Sequence, residues 1–210
     1  MNQAANAAFW DRIAEDYARK PWPNPDSTAR RLAITRSLLR PTDRLLDLGC
    51  GTGTMLLELA PDVADAEGLD VSPEMIRIAR GKPAPSGNVR FAVGGADVLR
   101  HADASLDVVT AFNLIHLVDD PLASLREIRR VLKPGGWFVA STACLGGSWW
   151  PPYSLLIPVM QWFGKAPSVH CFPEDDLRRW YGEAGFTELT AHDVGAEATQ
   201  PFFTARVPEA

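Results

Sequence analysis

The sequence lacks the features that would mark a membrane, secreted or metal-binding protein. No stretch reaches the roughly 18 uninterrupted apolar residues of a membrane span. The first residues show neither the basic nor the apolar region of a secretory signal peptide. The three cysteines, Cys50, Cys144 and Cys171, lie far apart without a Cys-x-x-Cys pair, so neither a disulfide framework nor a zinc site is indicated. We therefore predict a cytoplasmic protein that holds no metal.

An excess of positive charge is also missing. The net charge of −5 argues against nucleic acid as a partner, because phosphate binding requires a basic face. The adjacent Arg30 and Arg31 are interpreted as part of a solvated helix face. With 46% hydrophobic and 22% charged residues, the chain is expected to form one globular domain over residues 1–210.

The most informative stretch is RLLDLGCGTGTM, from Arg44 to Met55. A short apolar run leads into glycines at positions 49, 51 and 53, and a helical pattern follows. Glycine tolerates positive φ and carries no Cβ, so a ligand can lie against bare backbone. The first N–H groups of the following helix point to the same place. Such a loop alone can also be a tight turn that binds nothing.

Two acidic residues beside this loop favour a ligand. Asp47 lies within the apolar run, where a carboxylate needs partners. Asp70 ends the next apolar segment, at a spacing that fits the tip of a second parallel strand. An acid at that tip is suited to hold the two hydroxyl groups of a ribose.

The order of the elements predicts the fold class. Strand and helix patterns alternate from residue 45 to 142, which predicts a mostly parallel sheet with helices on both faces. The last two strands, near residues 186–194 and 201–207, are joined by a link too short for a parallel crossover. We therefore predict an α/β protein with a Rossmann-like, doubly wound, seven-stranded sheet that ends in an antiparallel hairpin.

Capping and turn residues predict where two of the helices begin or end. Asp26 or Ser27 is expected to cap the second helix. The stretch LKPGG, residues 132–136, is expected to end a helix before a fifth strand over residues 137–142.

The glycine loop and its neighbours resemble a known family. LDLGCGTG at 46–53 and DVSPEM at 70–75 resemble the class I methyltransferases that use S-adenosylmethionine, in particular the small bacterial type of ubiquinone and menaquinone biosynthesis. LKPGG is a further feature of that family. A nicotinamide-binding loop more often has a third glycine three residues after the second, where this chain has Thr54. The spacing therefore favours S-adenosylmethionine over a dinucleotide.

The resemblance implies a set of cofactor-binding residues, with S-adenosylhomocysteine as the product. They are Tyr17, Asp47, Gly49, Cys50, Gly51, Asp70, Val71, Met75, Ala96, Asp97, Asn113 and Leu114. The family often has an acid where this chain has Gly95. Backbone groups near Ala96, with Asp97 close by, are therefore expected to hold the amino group of the adenine.

The leader FWDRIAEDYARKP resembles that of a subgroup in which the first helix covers the cofactor. The apolar face of this helix is predicted to carry Phe9, Ile13 and Tyr17, with Trp10 and Ala14 beside them. Tyr17 is expected against the methionine part of the cofactor, with helix packing as the alternative. For Arg31, a solvated helix residue is favoured over an ion pair with the cofactor's carboxylate.

The acceptor side is less well defined by the sequence. His116, near the tip of the fourth strand, is a candidate general base or a packed, hydrogen-bonded histidine, and His170 is a second candidate. The predicted acceptor pocket comprises His116, Trp149, Trp150, Tyr153 and His170. The aromatic segment around these tryptophans can instead pack in the core or in a dimer, and it lacks the basic residues of a membrane-surface helix.

The predicted organisation and function follow from these observations. The parts of the chain are a helical cap (1–40), a cofactor-binding core (41–143), an aromatic lid (144–172), and a last helix with the hairpin (173–210). The expected reaction is methyl transfer to a small apolar or aromatic acceptor by a monomer or homodimer, without nucleic acid or membrane as partner. The alternatives are a non-catalytic or regulatory S-adenosylmethionine-binding protein and an NAD(P)-type oxidoreductase.

Overall fold

A computed structural model describes residues 3–22, 24–146, 153–162, 166–197 and 199–209. Its α-helices are α1 (Gln3–Arg19), α2 (Pro25–Leu38), α3 (Thr54–Leu59), α4 (Pro73–Gly81), α5 (Pro121–Val131), α6 (Tyr153–Trp162) and α7 (Glu174–Glu183). Its strands are β1 (Arg44–Leu48), β2 (Asp65–Asp70), β3 (Val89–Val93), β4 (Leu106–Phe112), β5 (Leu132–Ser141), β6 (Thr187–His192) and β7 (Phe202–Arg206). None of these helices is long and apolar enough to cross a membrane.

The strands form a seven-stranded sheet in the order β3-β2-β1-β4-β5-β7-β6. The pairs β1–β2, β1–β4, β2–β3 and β4–β5 are parallel. β7 lies antiparallel to both β5 and β6. The predicted Rossmann-like sheet with an antiparallel C-terminal hairpin is confirmed. Because the order reverses between β1 and β4, the carboxyl ends of these strands flank a crevice suited to a ligand.

Helices cover the sheet on its two faces, as the alternation of side chains requires. Leu45 and Val108 pack with residues of α2 and α3, whereas their neighbours Leu46 and Val109 pack with residues of α5 and α7. All four side chains are at most 1% exposed. Consecutive residues of a strand point to opposite faces, so a strand that is apolar at every position must be buried on both. The resulting rigid sheet fixes the loops at its edge.

Two predicted boundaries were wrong. The side chain of Asn24 accepts the N–H of Ser27 and caps α2, which begins at Pro25 rather than after Asp26 or Ser27. Proline fits the first helical turn because its missing N–H has no helical partner there. β5 begins at Leu132 and includes the LKPGG stretch, which bulges between two paired positions instead of preceding the strand.

The predicted apolar face of α1 includes Trp10, Ala14 and Tyr17 of the observed inward face, but it misses Asn6 and places Phe9 and Ile13 too centrally. Asn6 and Ala14 are the buried residues of α1, Phe9 and Ile13 are half-buried, and Tyr17 is 49% exposed. The inward face therefore runs through positions 6, 10, 14 and 17, at helical spacing. A buried asparagine within it hides this face from a search for apolar periodicity.

Candidate functional site

A cavity of about 120 Å³ opens at the carboxyl ends of β1, β2 and β4, and we call it the first chamber. It is lined by Asn6, Trp10, Tyr17, Gly49, Gly51, Asp70, Val71, Met75, Gly94, Gly95, Ala96, Asp97, Phe112, Asn113, Leu114, Leu117, Val118 and Asp119. Ten of the twelve predicted cofactor residues are in this set, and the two others, Asp47 and Cys50, line a neighbouring cavity. The structure thus brings together residues that are up to about a hundred positions apart in the chain.

Asp70 is one of three acidic residues that line the first chamber, with Asp97 and Asp119. One carboxylate oxygen accepts the backbone N–H of Gly51 at 2.9 Å, and the other accepts that of Ser72 at 2.9 Å. Burial raises the pKa of this carboxyl, while the two backbone hydrogen bonds oppose the rise. Because a carboxylate offers about four lone-pair positions, each oxygen of Asp70 keeps capacity for a ligand hydroxyl.

Two glycines of the loop serve different purposes. At Gly49, with φ of 66°, an added Cβ would lie 2.8 Å from Cδ1 of Leu114, so a bare backbone is needed for packing. At Gly51, with φ of 53°, an added Cβ would meet only Cε1 of Tyr17, at 3.9 Å. Open space in front of Gly51 is what a ligand lying on the loop requires.

Asn113 holds a strained position at the end of β4. Its φ of 57° lies in the left-handed region, which asparagine tolerates better than most residues. Its backbone N–H donates to the carbonyl of Ser141 at 2.8 Å, so β5 fixes this conformation. Backbone strain that the surrounding structure enforces is often found where a ligand is bound.

Residues that follow β2, β3 and β4 give the first chamber an apolar wall beside an acid. Met75 and Ala96 are 2% and 6% exposed and give it apolar walls. Val71 and Leu114 also line it. Asp97 reaches the same cavity, and its Oδ1 accepts the hydroxyl of Ser124 at 3.0 Å. The acid is therefore near the place where an exocyclic amino group would have to be held.

Helix α1 covers the first chamber, and it supplies two lining residues, Asn6 and Trp10, that are absent from the predicted cofactor set. Asn6 donates to the carbonyl of Leu117 at 3.0 Å and accepts the N–H of Ser168 at 2.8 Å, and so joins three parts of the chain. Trp10 lines the chamber and stacks edge-on with Tyr17, with ring centroids 6.1 Å apart. The spacing of four residues between Asn6 and Trp10 is the one signal that could have linked them.

Tyr17 lies between the two cavities. It lines both of them, although about half of its surface, 49%, is exposed. Burial around the hydroxyl, with the Asp70 carboxylate nearby, raises its pKa. The hydroxyl is therefore a neutral donor at physiological pH, as a residue facing a charged ligand group would need.

A second cavity, of about 200 Å³, adjoins the first, and we call it the second chamber. It is lined by Tyr17, Trp22, Asn24, Ser27, Thr28, Arg31, Asp47, Gly49, Cys50, Gly51, Met55, Phe112, Asn113 and Gln200. Five of these residues, Tyr17, Gly49, Gly51, Phe112 and Asn113, also line the first chamber. One extended ligand can therefore contact both.

Asp47 brings a buried carboxyl to the second chamber. It is 2% exposed, and its Oδ1 accepts the hydroxyl of Thr110 at 2.6 Å. Burial raises its pKa to about 7, against the effect of that hydrogen bond and with a further contribution from Asp70. Burial likewise raises the pKa of the Cys50 thiol, so this cysteine is not a thiolate at neutral pH.

His116 follows β4 and lines neither chamber. Its Nδ1 is 3.0 Å from the hydroxyl of Thr142 and accepts the backbone N–H of Ala143 at 3.3 Å. Burial lowers its pKa to about 4. The role of general base stays a prediction, and both the occupied Nδ1 and the low pKa oppose it.

The structure does not place the other predicted acceptor residues in either chamber. His170 lines neither chamber. Its backbone N–H donates to the carbonyl of His116, and its ring Nε2 is 3.1 Å from the carbonyl of Asp119. Trp149 and Trp150 lie outside the described residues, as does the side chain of Tyr153. The part of the chain that is described holds no cluster of three or more histidine, cysteine or acidic side chains arranged for a metal ion.

Comparison with known proteins agrees with this geometry. Residues 46–140 match a family model described as a methyltransferase domain. The chain is 31% identical to the demethylmenaquinone methyltransferase of Beutenbergia cavernae, over 81% of this chain and 72% of that protein. It belongs to the class I S-adenosylmethionine-dependent methyltransferases. Within this family it is of the type that includes the methyltransferases named for ubiquinone and menaquinone biosynthesis.

A further relative and a solved structure also match this methyltransferase. The demethylmenaquinone methyltransferase of Staphylococcus aureus is 33% identical, over 72% of this chain and 70% of that one. Among solved structures, phosphoethanolamine N-methyltransferase 2 of Haemonchus contortus, in complex with phosphomonomethylethanolamine and S-adenosylhomocysteine, has a similar fold. It matches with a TM-score of 0.76 at 18% identity, over 97% of this chain and 60% of that one.

The first chamber of the methyltransferase fits its cofactor, S-adenosylmethionine. The lone pairs left on Asp70 match the two hydroxyls of a ribose, and the apolar walls at Met75 and Ala96 match an adenine ring. The space in front of Gly51 leads from there towards Asn113 and the second chamber. The two chambers therefore offer polar and apolar surfaces of the kind that a ribose and an adenine would need.

Proposed function

We propose that this methyltransferase acts on a small apolar or aromatic acceptor, and specifically on a quinol or a related hydroxyaromatic ring. The observation that carries the proposal is the chemistry of α6, which follows β5. Its ten residues, Tyr153–Trp162, include no charged side chain. Ser141, the last residue of β5, accepts a hydrogen bond from the backbone N–H of Asn113, which lines both chambers. The chain that leads from β5 to α6 therefore begins beside these chambers.

The names of the relatives support the same class of acceptor. Two relatives that are 31% and 33% identical are demethylmenaquinone methyltransferases. A quinol ring is apolar over most of its surface and carries electron-rich carbons next to its hydroxyl groups. Such a molecule would suit contact with the uncharged helix α6, which we propose to face the acceptor although none of its described residues lines either chamber.

S-adenosylmethionine supplies a methyl group on a sulfonium, which is a strong electrophile without further activation. The residues of the chain then have three tasks. Asp70 and the backbone of Gly51 fix the nucleoside in place. Trp10 and Tyr17 of α1 close the chamber against water. Asn113, which lines both chambers, is our candidate for positioning the acceptor, because methyl transfer depends chiefly on alignment of the nucleophile with the methyl carbon.

A turnover assay with labelled S-adenosylmethionine tests the acceptor class. We expect label to transfer to a 1,4-naphthoquinol, and not to the oxidised quinone, because only the reduced ring is electron-rich. Phenols, aliphatic amines and thiols serve as the comparison set. Transfer to an amine or thiol, with none to any hydroxyaromatic compound, would refute the proposed acceptor.

A further inference from the structure

One lysine reaches the glycine loop from the far end of a neighbouring helix. Lys82 follows α4, and its backbone N–H donates to the carbonyl of Ala79 at 3.2 Å, which fixes it to the last turn of that helix. Its ammonium donates to the hydroxyl of Thr52 at 3.0 Å and to that of Thr54 at 2.6 Å. Because these two threonines flank Gly53, the ammonium bridges the loop across its third glycine.

Thr54 is the residue that distinguishes this loop from a dinucleotide-binding loop, which more often has a glycine at that position. A glycine there would remove the shorter of the two bonds to Lys82. Thr52 is 4% exposed, and its hydroxyl lies 3.3 Å from that of Thr54, so the three polar groups form one cluster. The absence of the third glycine therefore adds a contact to the loop.

The ammonium of Lys82 is held by these hydroxyls rather than by an acid. Burial lowers its pKa, and the opposing contribution comes from Cys50 and not from a carboxylate. Removing an ammonium from water destabilises a protein unless hydrogen bonds replace the water. Hydrogen bonds from a charged donor are about twice as strong as neutral ones. The partly buried lysine therefore contributes two strong, directed bonds to the loop.

The loop needs support at this end because glycine makes its backbone flexible. Gly51 and Gly53 both have positive φ, of 53° and 74°. Glycine loses more conformational freedom on ordering than any other residue. Gly51 is tied to β2 by its bond to Asp70, whereas Gly53 caps α3 without a side-chain hydrogen bond. Lys82 supplies the support that this cap lacks.

Helix α4 connects this support to the acid that faces the ribose. Ser72 caps the beginning of α4 by accepting the N–H of Met75 at 3.1 Å, and its own N–H donates to Asp70. The same acid accepts the N–H of Gly51. The helix thus joins Asp70 at one end to Lys82 at the other, and the glycine loop closes the ring between them.

We propose that Lys82 is a positioning residue for the cofactor, because it holds Thr52 and Thr54 so that the glycine loop is ordered before S-adenosylmethionine binds. Ordering a flexible loop during binding lowers affinity, so a loop that is already ordered binds more tightly without any new contact. Lys82 lines neither chamber, so its effect on the cofactor passes through the loop. The effect does not depend on the identity of the acceptor.

Calorimetric titration with S-adenosylhomocysteine tests this role. Lys82→Met keeps a long side chain but donates no hydrogen bond, and we expect its Kd to rise about fivefold to tenfold. Thr54→Val has the shape of threonine without the hydroxyl and should raise Kd about threefold. Thr54→Ser keeps the hydroxyl and should restore most of the affinity. Lys133→Met is the control, because that lysine bonds to Asp107 at the opposite end of the sheet, and its Kd should be unchanged.

Hydrogen exchange separates local ordering of the loop from a general loss of stability. In ligand-free Lys82→Met, the N–H groups of Gly51 and Gly53, which donate to Asp70 and to the carbonyl of Cys50, should exchange faster than in the wild type. The amides of β4 should keep their wild-type rates. Saturating S-adenosylhomocysteine should bring the two proteins together, because the ligand then orders the loop itself.

Two results would overturn the proposal. One is a Kd of Lys82→Met within about twofold of the wild-type value, whatever its Tm, which would make the contacts of this lysine structural only. The other is equally weak binding by Thr54→Ser and Thr54→Val, because the hydroxyl would then have no part in the effect. If Lys82→Met does not fold, the comparison of these two Thr54 variants decides alone.

Discussion

The two chambers differ in whether their buried polar groups are hydrogen-bonded within the protein. In the first, both oxygens of Asp70 are held by backbone N–H groups before any ligand arrives. In the second, Arg31 Nε and Ser27 Oγ have no partner in the described chain. This acid of the first chamber is therefore preorganised by the protein itself, whereas the second chamber leaves two buried polar atoms unpaired within the described chain. Preorganised groups give affinity at low entropic cost, whereas incomplete ones give selectivity for the ligand that completes them.

Asp70→Ala should have the largest effect, because it removes the acid that backbone N–H groups fix in the first chamber. The variant loses one or two charge-assisted hydrogen bonds to the ribose, roughly 1.5–3 kcal/mol each. Calorimetric titration with S-adenosylhomocysteine measures the loss. Asp65→Ala, at the opposite end of β2, is the control and should bind normally. An unchanged affinity in Asp70→Ala would remove Asp70 from the ribose site.

Asp47→Asn should have a smaller effect, on stability rather than on affinity. The folded-state pKa of Asp47 is raised to about 7, so its contribution to stability is complete below pH 4 and is lost as the pH rises to 7. Across that window the free energy of unfolding of the wild type should fall relative to Asp47→Asn, by at most about 4 kcal/mol. Urea denaturation at several pH values measures the difference. If the free energy of unfolding changed with pH in the same way in both proteins, the buried Asp47 carboxylate would already be stabilised by its surroundings.

His116→Gln should have the smallest effect, because His116 lines neither chamber and is buried in a hydrogen-bonded position. We expect turnover to fall less than about tenfold, with affinity for S-adenosylhomocysteine unchanged. A general base contributes about a hundredfold or more. A loss of that size in turnover alone, with a pH–rate profile that loses its acidic limb, would restore His116 as the base.

The sequence predicted the first chamber better than the second for a physical reason. The glycine loop and Asp70 are set by local backbone demands, and local demands leave spacing patterns in a sequence. The sheet was predictable as well, since its apolar strands and short final link admit few topologies.

The second chamber depends on how α2 and the loop after β6 pack against the sheet, and no local pattern encodes that packing. The prediction that Arg31 belongs to a solvated helix face was wrong, since it is 9% exposed and looks like any helical arginine until that burial is seen. Asn6 is similar, since a single polar residue in an amphipathic helix gives no sign that it joins two loops. The cap of α2 was misplaced because Asn24, Asp26 and Ser27 are all good capping residues, and only the path of the chain decides between them.

The most direct test of the central claim compares binding of S-adenosylmethionine and NAD to the wild-type protein by calorimetry. The missing third glycine of the loop and the match to a methyltransferase family predict that S-adenosylmethionine binds and NAD does not. Tight binding of NAD without binding of S-adenosylmethionine would contradict the account.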